Sequence, residues 1–570
     1  MTPQKSSRRS FIIQLASASG TLAAGSLLSG CGGGSAASNM VQFNYGVASG
    51  DPLATKVILW THAKYQNSND PVALKYEVAT DAAFSNVVSS GTTTALEAAS
   101  FTAKVDADGL SPATVYYYRF KSDVWISPVG KTRTLPTGAV SEVKLAVFSC
   151  SSYPHGYFHI YGEASKSDAQ YALHLGDYIY EYKDGEYPNP AVFGRKVLPA
   201  NEILTLSDYR TRHALYKSDV NLKLLHASMP MIAVWDDHEF ANNAYMTGAE
   251  NHTEGAEGTF AARKAAALQA YHEWMPIRTG ADKSIIYRSF DFGNLLSLHM
   301  LDTRLIGREK QLADDVLTTS SGQAAWMSPT RQLLGTTQTS WLTGVMTSSQ
   351  SKWQVLGQQV VMAATWIPAN VLAKFLAYYQ ALPTGNLTAI GNASADIVSE
   401  VGAYKAALTG GTLANYLTGS NQVVPYNFDG WDGYPVARQT VLQTFAGVAA
   451  SQPALGKKLV VLSGDSHNAW HTNLTLLDGT KVGEEFATSS VTSPGWEEYF
   501  PGLTTTIKSL FQDTTAKSNV QWMDASRRGY LKMTFTASQA KGEFIFIDAV
   551  NSGVYTMQTP VAAETRTYAG

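Results

Sequence analysis

A chain of 570 residues exceeds the size at which one hydrophobic core keeps growing, so at least two domains are expected. With 43 Lys and Arg against 46 Asp and Glu, the formal net charge is -3, which excludes the basic footprint of a nucleic-acid-binding protein. No internal apolar run is long and charge-free enough to span a bilayer.

At the amino terminus, Ser7-Arg8-Arg9-Ser10-Phe11 precedes an apolar, small-residue stretch that ends in Leu27-Leu28-Ser29-Gly30-Cys31. Twin arginines, apolar region and cysteine box in this order predict a twin-arginine export signal over 1–31 with a lipidation site at Cys31. The expected partners are therefore the twin-arginine export machinery and, through a lipid anchor, a membrane; the expected location is periplasmic or cell-surface. Gly32-Gly33-Gly34-Ser35 opens a flexible tether over 32–40. The chain's only other cysteine is Cys150, and a lone thiol in an oxidising compartment calls for burial or a ligand.

From 41 to 137 short β-prone runs such as Val57-Ile58-Leu59-Trp60-Thr61 and Val115-Tyr116-Tyr117-Tyr118-Arg119-Phe120 alternate with turn residues. That spacing predicts an antiparallel β-sandwich of immunoglobulin or fibronectin type. It carries no cluster of acid, histidine or cysteine and reads as an accessory domain. Beyond it, over 138–560, buried strands alternate with helical segments such as 260–274, which predicts an α/β core. A stretch over 368–426 reads as a helical insertion whose function is not legible.

Four of the apolar strands stop at chemistry. Val143 to Phe148 leads to Ser149-Cys150, and Tyr171 to Leu175 leads to Gly176-Asp177 with Tyr180 three residues on. Met231 to Trp235 leads to Asp236-Asp237-His238-Glu239, and Leu459 to Ser463 leads to Gly464-Asp465-Ser466-His467. Open α/β sheets bind ligands beyond the carboxyl ends of their strands. Each cluster alone has a plain structural explanation: Gly-Asp turns close strands, single histidines brace cores, and Asp236 to Glu239 can form an ordinary charged turn. Together they offer thiolate, phenolate, carboxylate and imidazole, a set able to bridge two metals and suited to phosphate-ester hydrolysis.

The series Gly176-Asp177-Tyr178-Ile179-Tyr180-Glu181, Trp235-Asp236-Asp237-His238-Glu239, Leu301-Asp302-Thr303-Arg304, Asp432-Gly433-Tyr434-Pro435 and Ser463-Gly464-Asp465-Ser466-His467 resembles the alkaline phosphatase D family of the calcineurin-type metallophosphoesterase superfamily. The resemblance implies an exported phosphatase with an immunoglobulin-like domain before an αββα sandwich that holds Fe(III) and Ca(II). By the same resemblance Cys150, Tyr180 and His467 hold the iron, Asp177 bridges to calcium, and Asp237 and Asp465 occupy second-metal positions. Asp236 stands as an alternative to Asp237. His238 takes the place of the histidine that faces the substrate phosphate.

The chain departs from the wider superfamily in two places. Cys150 stands where the first motif has an aspartate, and Gln358-Gln359 stand where a further metal-binding histidine is common. Oxygen-rich ligation favours a hard cation such as calcium. Arg304 is the expected clamp for phosphate oxygens, with a brace against Asp302 as the alternative. The expected reaction is in-line attack on phosphate monoesters, and on diesters, by a metal-bound hydroxide or oxide, with His238 protonating the departing oxygen. Competing readings are a phosphodiesterase or phospholipase D-like hydrolase acting on phospholipid or wall polymer, and a lipid-anchored surface module with structural metals.

Overall fold

The computed structural model describes residues 40–187, 192, 194–313, 316–512, 519–558 and 564–570. The expected export signal with Arg8 and Arg9, the lipidation site Cys31, and all of the tether but its last residue lie outside the described residues.

In the amino-terminal part, strands Val72–Ala79, Val87–Ala95, Val115–Ser122, Trp125–Ile126 and Gly130–Arg133 make an antiparallel sheet. Alternation along Val115–Ser122 buries Tyr116, Tyr118 and Phe120 on one face, the two-residue period of a half-buried strand. They share a core with Leu59 and Ala103 of a second layer, formed by Val47–Gly50, Val57–His62 and Thr102–Ala107.

That second layer does not stop at the module's boundary. Gly50 pairs in parallel with Met231, so its three strands extend a nine-stranded sheet that continues through Met231–Ala233, Tyr171–His174, Glu142–Phe148, Arg528–Thr536, Gln539–Ile547 and Glu564–Ala569. A Cβ at Gly50 would lie 2.1 Å from the Pro276 carbonyl oxygen and 2.5 Å from that of Met231, so only glycine permits the join. The next residue, Asp51, is fully buried. It accepts from Arg288 Nη2 at 2.6 Å and Nε at 2.9 Å, and from the Arg278 backbone N–H at 2.7 Å. The amino-terminal module is thus bonded into the larger sheet rather than strung beside it.

A second sheet of seven strands runs Arg288–Phe292, Leu296–Met300, Trp353–Gly357, Lys458–Ser463, Lys481–Ala487, Ala469–Thr475, Val520–Asp524. Val355, Val460 and Leu462 share a cluster with Leu145, Val147, Leu531 and Phe535 of the first sheet. Their sequence neighbours Leu356, Leu459 and Val461 pack with Leu342 and Met346 of helix Gly335–Ser348 and with Leu442 and Phe445 of helix Pro435–Ser451. Strands buried on both faces have no solvent side to mark with polar residues, which is why they read as unbroken apolar runs.

In the first sheet, parallel register sets Phe148 beside His174 and His174 beside Ala233. The chain therefore leaves these strands at one edge with Cys150, Asp177 and Asp236 in adjacent turns. The stretch 368–426 contains helices Ala369–Ala381 and Leu387–Thr409. Their Phe375, Tyr378, Ile397 and Val401 join Trp470, Trp496 and Phe500 in one apolar cluster.

Candidate metal centre

Four of the expected ligands hold a backbone conformation that side chains disfavour. Cys150, Asp177, Asp465 and His467 have φ of 59, 55, 57 and 62°, each costing on the order of 1 kcal/mol or more, and such outliers cluster at functional sites. The sharp turns aim the side chains across the strand ends. Gly176, at φ 106°, would with a Cβ lie 2.3 Å from the Asp236 Cβ, so glycine lets two ligand-bearing turns touch. Glu239 ties them together by accepting the backbone N–H of Asp177 at 3.0 Å and of Asp236 at 2.6 Å.

The donor atoms form three overlapping groups, each with its members within 4.8 Å of one another: Cys150, Asp177 and His467; Asp177, Asp237 and His238; Asp236, Asp237 and Asp465. Tyr180 Oη donates to Asp177 Oδ2 at 3.0 Å, stands 3.3 Å from His467 Nε2, and accepts from Ser493 Oγ at 2.6 Å. His467 Nδ1 lies 2.6 Å from the Pro494 carbonyl oxygen. With the proton on Nδ1, its Nε2 lone pair faces the cluster, a common way of orienting a metal-binding histidine. The structure therefore brings together all the sequence-expected site residues that lie among the described residues.

Burial pushes the Cys150 thiol and the Tyr180 phenol up, and Asp177 adds to both shifts. It also pushes the Asp177 and Asp236 carboxyls well above the carboxylate range. Asp177 Oδ1 and Asp236 Oδ2 are buried without a hydrogen-bond partner. Unpaired buried carboxylate oxygens are costly and call for a counter-charge. Clustered with thiol, phenol and imidazole, they fit metal ions.

Arg304 is already engaged by carboxylates of the protein. The guanidinium is fully buried and held by carboxylates: Nε donates to Asp236 Oδ1, Nη1 to Asp429 Oδ1 at 2.9 Å, and Nη2 to Asp465 Oδ1 at 3.1 Å. Burial opposes its charge, but Asp236, Asp237, Asp429 and Asp465 outweigh that and hold it protonated. The brace against Asp302 exists through the backbone, since Asp302 Oδ1 accepts the Arg304 N–H at 2.8 Å. Gln358 and Gln359 spend their amides on the fold: Gln358 on Val360 and Trp431, Gln359 on Thr303, Trp235 and Leu301.

Sequence reasoning missed Asp429, Glu181 as a partner for His238, and the bracing role of Glu239. Asp429 stands just beyond the short strand Val423–Pro425, at the edge of the stretch read as an insertion of illegible function. Glu181 Oε2 lies 2.7 Å from His238 Nδ1, while its Oε1 accepts from the Asn242 backbone and from Asn251 Nδ2. Burial alone would lower the His238 pKa, but Asp177, Asp237 and Glu181 together raise it to about 10. In the metal-free protein these charges favour the protonated imidazole. If that proton is the one delivered in catalysis, activity falls as pH rises through the His238 pKa. Glu181→Gln removes the one of these charges that belongs to none of the candidate metal groups and should move the alkaline limb of kcat to lower pH. An unmoved limb in a pH–rate profile would count against His238 as the donor.

Residues 145–544 match the PhoD-like phosphatase family, and residues 29–136 match the PhoD-like phosphatase N-terminal domain. The chain is 36% identical over 521 residues to alkaline phosphatase D of Bacillus subtilis (strain 168), covering 88% of this chain and 77% of that protein. A solved structure described as that of PhoD superposes with a TM-score of 0.71 at 32% identity, over 92% of this chain and 90% of the other.

Proposed function

The chain belongs to the PhoD-like phosphatase family and is a phosphoric ester hydrolase, and from that premise we propose that it hydrolyses phosphate monoesters, and diesters, at a binuclear iron(III) and calcium site. The observation that carries the reading is the overlap of the three donor groups on Asp177 and Asp237, so that one carboxylate serves two neighbouring positions. Cys150, Tyr180, His467 and Asp177 would hold iron; Asp177, Asp237 and Asp465 would hold calcium. Asp237 is preferred over Asp236 because it belongs to two of the groups and Asp236 to one. Bound together, such ions supply positive charge to phosphoryl oxygens and acidify water.

The protein's own part is positional. His238, held at Nδ1 by Glu181, keeps Nε2 to donate a proton to the departing oxygen, which is harder to expel as an alkoxide than as an alcohol. Ser493 and Pro494 fix Tyr180 and His467, and Glu239 fixes the two turns. The fold reading that accompanies this is an immunoglobulin-like domain before an αββα metallophosphoesterase sandwich, supported by paired sheets with helices outside them.

Elemental analysis and visible absorption test the metal assignment. Thiolate and phenolate donate electron density into the partly filled d orbitals of iron(III), whereas zinc and calcium offer none to accept it. The purified protein should be coloured and bleach on reduction, and Tyr180→Phe and Cys150→Ser should each shift or weaken the band. A colourless, fully active protein containing zinc would refute iron while leaving a two-metal site.

The amino-terminal sequence supports export by the twin-arginine pathway and lipid anchoring at Cys31 in the periplasm or at the cell surface. Replacing Arg8 and Arg9 with lysine should strand the precursor in the cytoplasm. Unchanged export on fractionation would refute the pathway, and full membrane association of Cys31→Ala would refute the anchor.

A further inference from the structure

One guanidinium, remote in sequence, reaches His238 by two routes. Arg263 lies on the helix Phe260–Trp274 and is buried, with all three of its nitrogens engaged. Nη1 donates to the Asn251 carbonyl oxygen at 2.8 Å, Nε to Tyr209 Oη at 3.1 Å, and Nη2 to Glu202 Oε1 at 2.8 Å. The Asn251 route ends at the imidazole. Asn251 Nδ2 donates to Glu181 Oε1 at 2.9 Å, and Glu181 Oε2 lies 2.7 Å from His238 Nδ1. The Tyr209 route ends at the backbone. Tyr209, on the helix Leu206–Lys217, donates its hydroxyl proton to the Phe240 carbonyl oxygen, two residues after His238.

The segment that carries Asn251 depends on such ties. Between Phe240 and Phe260 the chain forms turns and one isolated bridge, with no helix or strand. The Asn242 carbonyl oxygen accepts from the backbone of Glu250 and Asn251, and Arg263 grips the same stretch from the neighbouring helix. A buried arginine that only braced two helices would be satisfied by Tyr209 and Glu202. The bond to Asn251 is what carries its hold on to Glu181 and the imidazole. A side chain free to turn about its own bonds donates a proton well only when its partner is itself fixed.

We propose that Arg263 is a positioning residue for the phosphatase reaction, holding His238 in place through Asn251 and Glu181 on one side and through Tyr209 and the Phe240 backbone on the other. The proposal rests on the reading that His238 protonates the departing oxygen. Arg263 belongs to none of the candidate metal groups, so its effect on the reaction passes through His238.

The test compares kcat/KM of the metal-replete enzyme on p-nitrophenyl, phenyl and ethyl phosphate, whose leaving groups need a proton increasingly in that order. His238→Asn sets the scale, with a loss about a hundredfold greater on ethyl than on p-nitrophenyl phosphate. Arg263→Met should lose activity in the same order, about tenfold more on ethyl than on p-nitrophenyl phosphate, while metal content and the inhibition constant of inorganic phosphate stay within about twofold of wild type. Tyr209→Phe and Asn251→Ala should each show a smaller loss in the same order and add little to Arg263→Met, because they act along its routes. These two variants decide the question if Arg263→Met does not fold. An even loss on all three esters in Arg263→Met and Asn251→Ala, or loss of metal from them, overturns the positioning role. An even loss in His238→Asn overturns the donor reading and the proposal with it, whereas an ordered loss there beside an even one in Arg263→Met overturns the proposal alone.

Discussion

Asp177→Asn is expected to lower phosphatase activity by about a thousandfold or more, roughly 4 kcal/mol of barrier. Asp177 belongs both to the group with Cys150 and His467 and to the group with Asp237 and His238. Removing its charge therefore weakens both metal positions at once. Asparagine preserves the side-chain shape, so the fold should survive. The metal-free protein should lose no stability, because burial already holds the Asp177 carboxyl towards its neutral form and one of its oxygens lacks a partner. Steady-state kinetics, metal content and thermal unfolding separate these effects. Retention of more than about a tenth of the wild-type rate, a change of only about 1.4 kcal/mol, would rule out an essential shared ligand.

Arg304→Met should produce the largest loss of stability. The guanidinium is the cation that Asp236, Asp429 and Asp465 hold in common. Breaking a buried ion pair by removing one partner costs about 3–5 kcal/mol, since the abandoned charges stay buried. The loss should be greatest in metal-free protein and partly restored by added metal, which would supply positive charge to Asp465 instead. Thermal unfolding with and without chelator reads this directly. If Arg304 served only to clamp substrate phosphate, the unfolding temperature would hold and KM alone would rise.

The candidate ligands stood out in the sequence because of how parallel strands are built. Leu145 to Phe148 and Leu459 to Leu462 are buried on both faces, so the first polar residues after them mark the sheet edge at which sites form. The run from Gly176 to Tyr180 shows in a few letters an end of strand, a turn and two donors. Glu239 sat in the same motif as His238, but its task of bridging the turns at Asp177 and Asp236 follows from two loops meeting, which no local pattern displays.

Amino-acid order by itself determined which residue types stand at the strand ends and hence the chemistry on offer, because burial, turn formation and ligand character are properties of short segments. Only the tertiary structure decided which of them meet. Arg304 reaches Asp429 across 125 residues and Asp465 across 161, and Gly50 pairs with Met231 to weld the amino-terminal strands into the larger sheet. The physical reason is that a buried charge takes whichever opposite charge the packed core brings within reach. That choice is made by the free energy of the whole assembly of strands, with no signal in the residues on either side of Arg304 or Asp429.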